Sequence, residues 1–94
     1  MISGTLRARL LLRQSRSLKD KRQVVRSILD RLRNSFNVSA SEVDTHDDVK
    51  VLTLGFAIVG TEHGAVKGAL QAIAEALRAH PVAEYLDSEI EVGR

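Results

Sequence analysis

From Ile2 to Leu12 the chain alternates: the even positions are Ile, Gly, Leu, Ala, Leu and Leu, and the odd ones are Ser3, Thr5, Arg7, Arg9 and Leu11. A period of two marks a half-buried strand. The polar stretch Ser15–Ser17 interrupts it, and Ser17 followed three residues on by Asp20 forms a capping box with aspartate in the usual place of glutamate. The spacing therefore predicts a helix from Leu18 to about Asn34. At about 100° per residue, Leu18, Val25, Ile28, Leu29, Leu32 and Phe36 fall within roughly 100° of arc, an apolar stripe for packing on one side.

The second half of the chain repeats this order with different punctuation. Val38 to about Thr45 is a short, less regular strand that exposes Glu42, Asp44 and His46, and Thr45-His46-Asp47-Asp48 is its hairpin turn. Val49 to Val59 is apolar on both faces apart from Lys50 and Thr53, as a central strand requires. Gly60 and Thr61 stop it, with Thr61 placed to cap a second helix. That helix buries Val66, Ala69, Leu70, Ile73 and Leu77, runs to about Ala79 and ends before Pro81. A last strand lies between Val82 and Val92, clearest where Ile90 and Val92 alternate with Glu89 and Glu91. Strand, helix, strand, strand, helix, strand is the split βαβ order. It predicts an α+β, ferredoxin-like domain over residues 1–94, with both helices on one face of a four-stranded antiparallel sheet. The right-handed crossover rule puts strands 1 and 3 at the centre and strands 2 and 4 at the edges.

Composition narrows the class. With 94 residues, 44% apolar and no cysteine, the chain can bury roughly 64% of its unfolded surface without a disulfide staple. No run approaches the roughly 18 apolar residues of a membrane helix and no charged-then-apolar leader opens the chain, so the expected location is the cytoplasm, away from membranes. The formal net charge of +2 hides an asymmetry. Residues 1–36 carry ten Lys or Arg against two Asp, a net of +8, whereas residues 37–94 carry four against ten carboxylates, a net of −6. A chain so divided can present one basic face without being a general cation.

On the first helix, Arg22, Arg33, Arg26 and Lys19 lie at about 40°, 60°, 80° and 100° from Leu18, a narrow stripe beside the apolar seam. A helix of this length is roughly 27 Å long, enough to meet several phosphates of a nucleic-acid backbone. The candidate nucleic-acid contacts are therefore Lys19, Arg22, Arg26 and Arg33, supported by Arg16 just before the helix and by Lys21. Lys21 lies at about 300°, near the apolar seam, so the alternative for it is to snorkel out from the end of the sheet. The competing reading of the stripe is a solvated face whose arginine stems cover the edge of the core.

The segment Ser17-Leu18-Lys19-Asp20-Lys21-Arg22-Gln23-Val24-Val25-Arg26-Ser27, continued by Arg31-Leu32-Arg33, Phe36-Asn37-Val38-Ser39 and Glu42-Val43, resembles the signature of the YlxP-like family of small bacterial proteins of unknown function. The resemblance implies a ferredoxin-like fold, in agreement with the periodicities. Genes of the family often stand beside those for translation-initiation and ribosome-maturation factors, which implies ribosomal RNA or a ribosomal subunit as partner. Similar proteins commonly carry an aromatic residue in the turn into strand 3, where this chain has Val49.

Other constellations are weaker. Base stacking of the RNA-recognition-motif kind needs aromatics on strands 1 and 3, and only Phe56 is there. Any RNA contact is therefore electrostatic and shape-based, through the first helix with Arg7, Arg9 and Arg13 on strand 1 as further cations. Gln14-Ser15-Arg16-Ser17 leads into a helix N-terminus that favours anions, but no asparagine on strand 3 can position a water, so a small acyl or phosphoryl hydrolase ranks third. Glu42, Asp44 and His46 share one face of an ideal strand, a metal-like grouping that more often protects an edge from pairing. His63 and His80 read as structural, His80 as an imidazolium at a helix C-terminus. Gly64, Gly68, Ala72 and Ala76 form a ridge on which another helix can approach closely, either the first helix or a second subunit. An uncovered apolar sheet face makes a homodimer, a protein-interaction module, the alternative to RNA association. No catalytic set, cofactor, metal site or small-molecule substrate is expected, and the leading expectation is a non-enzymatic, ribosome- or RNA-associated accessory protein.

Overall fold

The computed structural model describes residues 1–93. Its elements are β1 (Ile2–Leu11), α1 (Leu18–Ser35), β2 (Ser39–Asp44), β3 (Val51–Gly60), α2 (His63–Arg78) and β4 (Glu84–Gly93). The strands form one antiparallel sheet in the order β2-β3-β1-β4, with β1 and β3 central as the crossover argument requires. This is the ferredoxin-like α+β fold.

The alternation in β1 decides which face is covered. Gly4, Leu6, Ala8 and Leu10 are buried under the helices while Thr5, Arg7 and Arg9 are exposed on the other face. β3 adds Leu52, Leu54, Phe56 and Ile58 to the covered face, and the helices close the core with Val25, Ile28, Leu29 and Leu32 from α1 and Val66, Leu70, Ile73 and Leu77 from α2. Gly4 permits the closest approach of α2. A Cβ built there would lie 2.7 Å from Val66 and 2.8 Å from Leu70, inside van der Waals contact.

The N-terminus of α1 forms as the sequence requires, with the Ser17 hydroxyl accepting from the Asp20 N–H at 3.1 Å. The carboxylate of Asp20 reaches back one residue further than in a standard box and accepts from the Arg16 N–H at 3.2 Å. α2 departs from expectation. Its N-cap is Glu62, with no side-chain cap, because the first helical carbonyl is that of Glu62, which accepts from Val66 N–H at 3.2 Å, and Thr61 lies one residue too early.

β3 starts at Val51 rather than Val49. One oxygen of Asp48 accepts from both Lys50 and Val51 N–H, at 2.8 and 2.9 Å, which holds Val49 and Lys50 in a bend ahead of the strand. These two bonds keep the Asp48 carboxyl below its ordinary range. The Gly64–Gly68 side of α2 faces solvent, with nothing within 4 Å of a Cβ placed at either glycine, so this part of the small ridge does not seat α1. Instead α2 lies on β1, β3 and β4, and α1 on β2.

Candidate nucleic-acid interface

The cations of α1 divide by their angle around the helix. Lys21, at the edge of the apolar seam, is fully buried. Its ammonium donates to the carbonyls of Thr45 and Asp48, each at 2.5 Å, and stands 3.0 Å from Glu42 Oε2. The Glu42 oxygen is itself buried and has no hydrogen-bonding partner among the described residues, so the ion pair alone satisfies it. The carboxylate comes from β2 itself and the two carbonyls from the β2–β3 connection, where Thr45 adopts a left-handed φ of 59°. A β-branched residue is strained there, and Lys21 is one of the groups that hold it. Lys21 is thus removed from the candidate interface: it neither snorkels nor meets solvent, because folding closes the β2–β3 loop over its ammonium.

Arg33 is also committed to the fold. Its guanidinium donates to the Ala40 carbonyl of edge strand β2 and to Asp30 at 3.4 Å. It therefore shields an edge that would otherwise offer a free acceptor to another strand. Arg16, Lys19, Arg22 and Arg26 remain. All four are exposed and none has an ion-pair partner among the described residues. Lys19, Arg22 and Arg26 follow one another at three- and four-residue steps, which aligns them on the outer flank of α1.

The sheet treats its cations differently. Arg7 pairs with Asp44 of β2 at 3.2 Å, Arg9 with Asp87 of β4, and Arg13 with Glu84 at 2.9 Å. The Arg9 hydrogen bonds hold the Asp87 carboxyl below its ordinary range and raise Arg9 in turn. Arg9 thus lies beside a carboxylate of the adjacent β4, Arg7 reaches across β3 to one on β2, and Arg13, two residues past β1, meets Glu84, so the open face is not a basic surface. All three aromatic rings are engaged as well: Phe56 is buried, Phe36 packs against the core, and Tyr85 lies under the Arg78 guanidinium at 4.7 Å.

The acidic grouping of the second strand comes apart. A bulge between Glu42 and Asp44 breaks the period of two, so Glu42 turns under the helices to Lys21 while Asp44 turns to the open face and Arg7. His46 bonds the Glu42 carbonyl through Nε2 at 3.1 Å. His80 is not a C-terminal imidazolium. Its Nδ1 accepts from the N–H groups of Val82 and Ala83, at 3.2 and 2.9 Å, and burial, then the Arg31 charge, lower its pKa.

Arg31, at about 220° on the α1 wheel, escaped the stripe argument because it lies on the opposite flank, toward α2. Lys50 was likewise missed. Its ammonium donates to the Arg13 and Ser15 carbonyls at 2.6 and 3.1 Å, tying the β1–α1 connection to the β2–β3 connection. Only the fold puts those segments together, so no local signal could have found it.

The structure defines a ferredoxin-like α+β protein in which Lys19, Arg22 and Arg26 form an unneutralised basic flank of α1 among the described residues. Within that class the chain belongs to the family described as "Protein of unknown function (DUF503)", which matches residues 3–90. It is similar to the uncharacterized protein YlxP of Bacillus subtilis (strain 168), with 35% identity over 68 residues, covering 72% of this chain and 74% of the relative. Among the described residues no helix is long and apolar enough to cross a membrane.

Proposed function

We propose that this protein is a non-enzymatic accessory protein that docks on RNA, in the setting of the ribosome, through the phosphate backbone. The contacts are Arg16, Lys19, Arg22 and Arg26. The observation that carries this reading is the contrast in charge pairing: the cations of β1 have carboxylates beside them, while these four face solvent unpaired. An unpaired cation releases condensed counterions on meeting a phosphate, which is the main source of affinity in sequence-independent binding. With each ring already engaged, base stacking adds little, and the interaction is governed by charge and shape.

The test is co-sedimentation of the full chain with ribosomal particles on sucrose gradients at low and raised salt, alongside fluorescence anisotropy with a labelled RNA. Four phosphate contacts give a log–log salt slope of about −3. The Arg22→Glu, Arg26→Glu double variant is expected to lose binding and keep its thermal stability. Unchanged binding by that folded variant excludes the α1 flank. A second reading, a homodimer through the helix-free face, is favoured by Val59 and Val43, which are 69% and 49% exposed. Light scattering at micromolar concentration decides it: twice the monomer mass supports the dimer, and a monomer throughout removes it.

A further inference from the structure

On the flank of α1 opposite the basic stripe, a cleft of about 150 Å³ opens between the two helices near the end of α2. Ile28, Leu32 and Leu77 form its apolar wall, and Ser27, Arg31 and His80 supply its polar groups. The protonation of His80 is fixed by its surroundings. Because Nδ1 accepts two backbone N–H bonds, at 3.2 and 2.9 Å, it carries no proton, so the neutral ring bears its hydrogen on Nε2 and is a donor there. Arg31 has donors only. Among the described residues no carboxylate pairs with Arg31, whose charge is felt at the His80 ring. The cleft therefore brings the Arg31 and His80 donors to an apolar recess whose lining holds no carboxylate, which is the inverse of the β1 pairs.

We propose that this cleft binds a small organic monocarboxylate. Its apolar body lies against Ile28, Leu32 and Leu77, and its carboxylate is held by Arg31 with His80 Nε2–H as second donor. Guanidinium and carboxylate match in planar, bidentate geometry. A recess of about 150 Å³ is the size that takes a benzene ring in an engineered protein cavity, so the fitting body is about one ring or a short branched chain. Inorganic phosphate is the poorer match, since it leaves the apolar wall against water. Apolar wall with few convergent polar groups is the usual make-up of a small-molecule site. Arg31 is not among the four cations assigned to RNA, so this inference stands or falls separately from that reading.

The experiment uses the full chain labelled with nitrogen-15 and follows the Arg31 side-chain and His80 ring signals by NMR. The probes are benzoate, its uncharged analogue benzamide, and inorganic phosphate. Benzoate is expected to move both signals saturably in the millimolar range, as a ligand of few atoms should, and to raise the His80 pKa by offsetting Arg31. Benzamide should bind at least about tenfold more weakly, and phosphate should give no saturable shift over the same range. Arg31→Gln is expected to lower benzoate affinity at least about tenfold. Ala76→Leu, which fills the cleft from an exposed position while leaving both donors in place, should abolish binding. No saturable shift with benzoate overturns the proposal. So does phosphate binding as tightly as benzoate, or benzoate binding that survives Ala76→Leu, since either result reduces the site to unspecific attraction of an anion.

Discussion

Strand β1 and helix α1 are the two basic elements of the chain, and the fold treats their charges in opposite ways. Along β1 every second residue points to the open face, where antiparallel pairing sets a residue from another strand beside it. Arg9 is partnered in the ladder by Asp87, 78 positions away, and Arg7, opposite Gly55 of β3, reaches across that strand to Asp44, 37 positions away. A helix lying on a sheet has no such neighbour on its outer side, so Arg22 and Arg26 keep their charge facing water. Lys21 shows a third outcome. One residue from Arg22, it is turned by about 100° into the protein, where two carbonyls and Glu42 surround it. Equal charge in sequence thus becomes neutralised, free or buried charge according to the direction in which each element points.

The strongest way to break this comparison is to treat the adjacent cations alike. Lys21→Met should cost about 3–5 kcal/mol in urea unfolding, because it leaves Glu42 buried without its counter-charge. Arg22→Met should stay within about 0.5 kcal/mol, as an exposed side chain outside any network does. Similar losses for the two would show that the burial of Lys21 contributes little. The double variant Lys21→Met, Glu42→Gln should recover part of the loss, with the shortfall reporting the Thr45 and Asp48 carbonyls.

The salt slope of the proposed RNA binding sharpens the comparison between helix and sheet. Lys19→Ala or Arg26→Ala should each reduce it by about 0.7–0.9, whereas Arg7→Ala and Arg9→Ala should leave it unchanged. A decrease on Arg9→Ala would mean that the sheet pairs open to receive phosphate. The smallest effect concerns pH. The folded pKa of His80 is lowered, so its contribution to stability is complete above the unfolded value of about 6.5 and is lost as pH falls from there toward the folded value. Asp48 and Asp87 are lowered too, and their contribution persists above about pH 4 and fades only below it. Urea midpoints should therefore decline gently between about pH 7 and 5 in the parent protein, and His80→Gln should flatten that segment alone.

Much of the architecture was legible along the chain because its signals are local. The period of two in β1, the stripe of α1, the Ser17 cap and the stop at Pro81 each arise within a few residues, and together they leave few topologies. Local reasoning failed where a single backbone detail redirects a side chain. The bulge in β2 sends Glu42 and Asp44 to opposite faces, and the Asp48 carboxylate delays β3 by two residues. Of the six candidate site residues, Arg16, Lys19, Arg22 and Arg26 stay exposed, while Lys21 and Arg33 are drawn into contacts with β2 and its loop. The position of Lys21 beside the apolar seam already signalled its risk.

The sequence by itself determined the order of elements, the period of two in β1 and the concentration of positive charge before residue 37, since these follow from spacing and composition. Only the tertiary structure decided which of those charges remain free, the tautomer of His80 and the cleft beside Arg31. Each of these depends on what an atom distant in the chain places within about 3 Å, where a hydrogen bond or ion pair forms, and at that range a turn of 100° or one extra strand residue exchanges one partner for another.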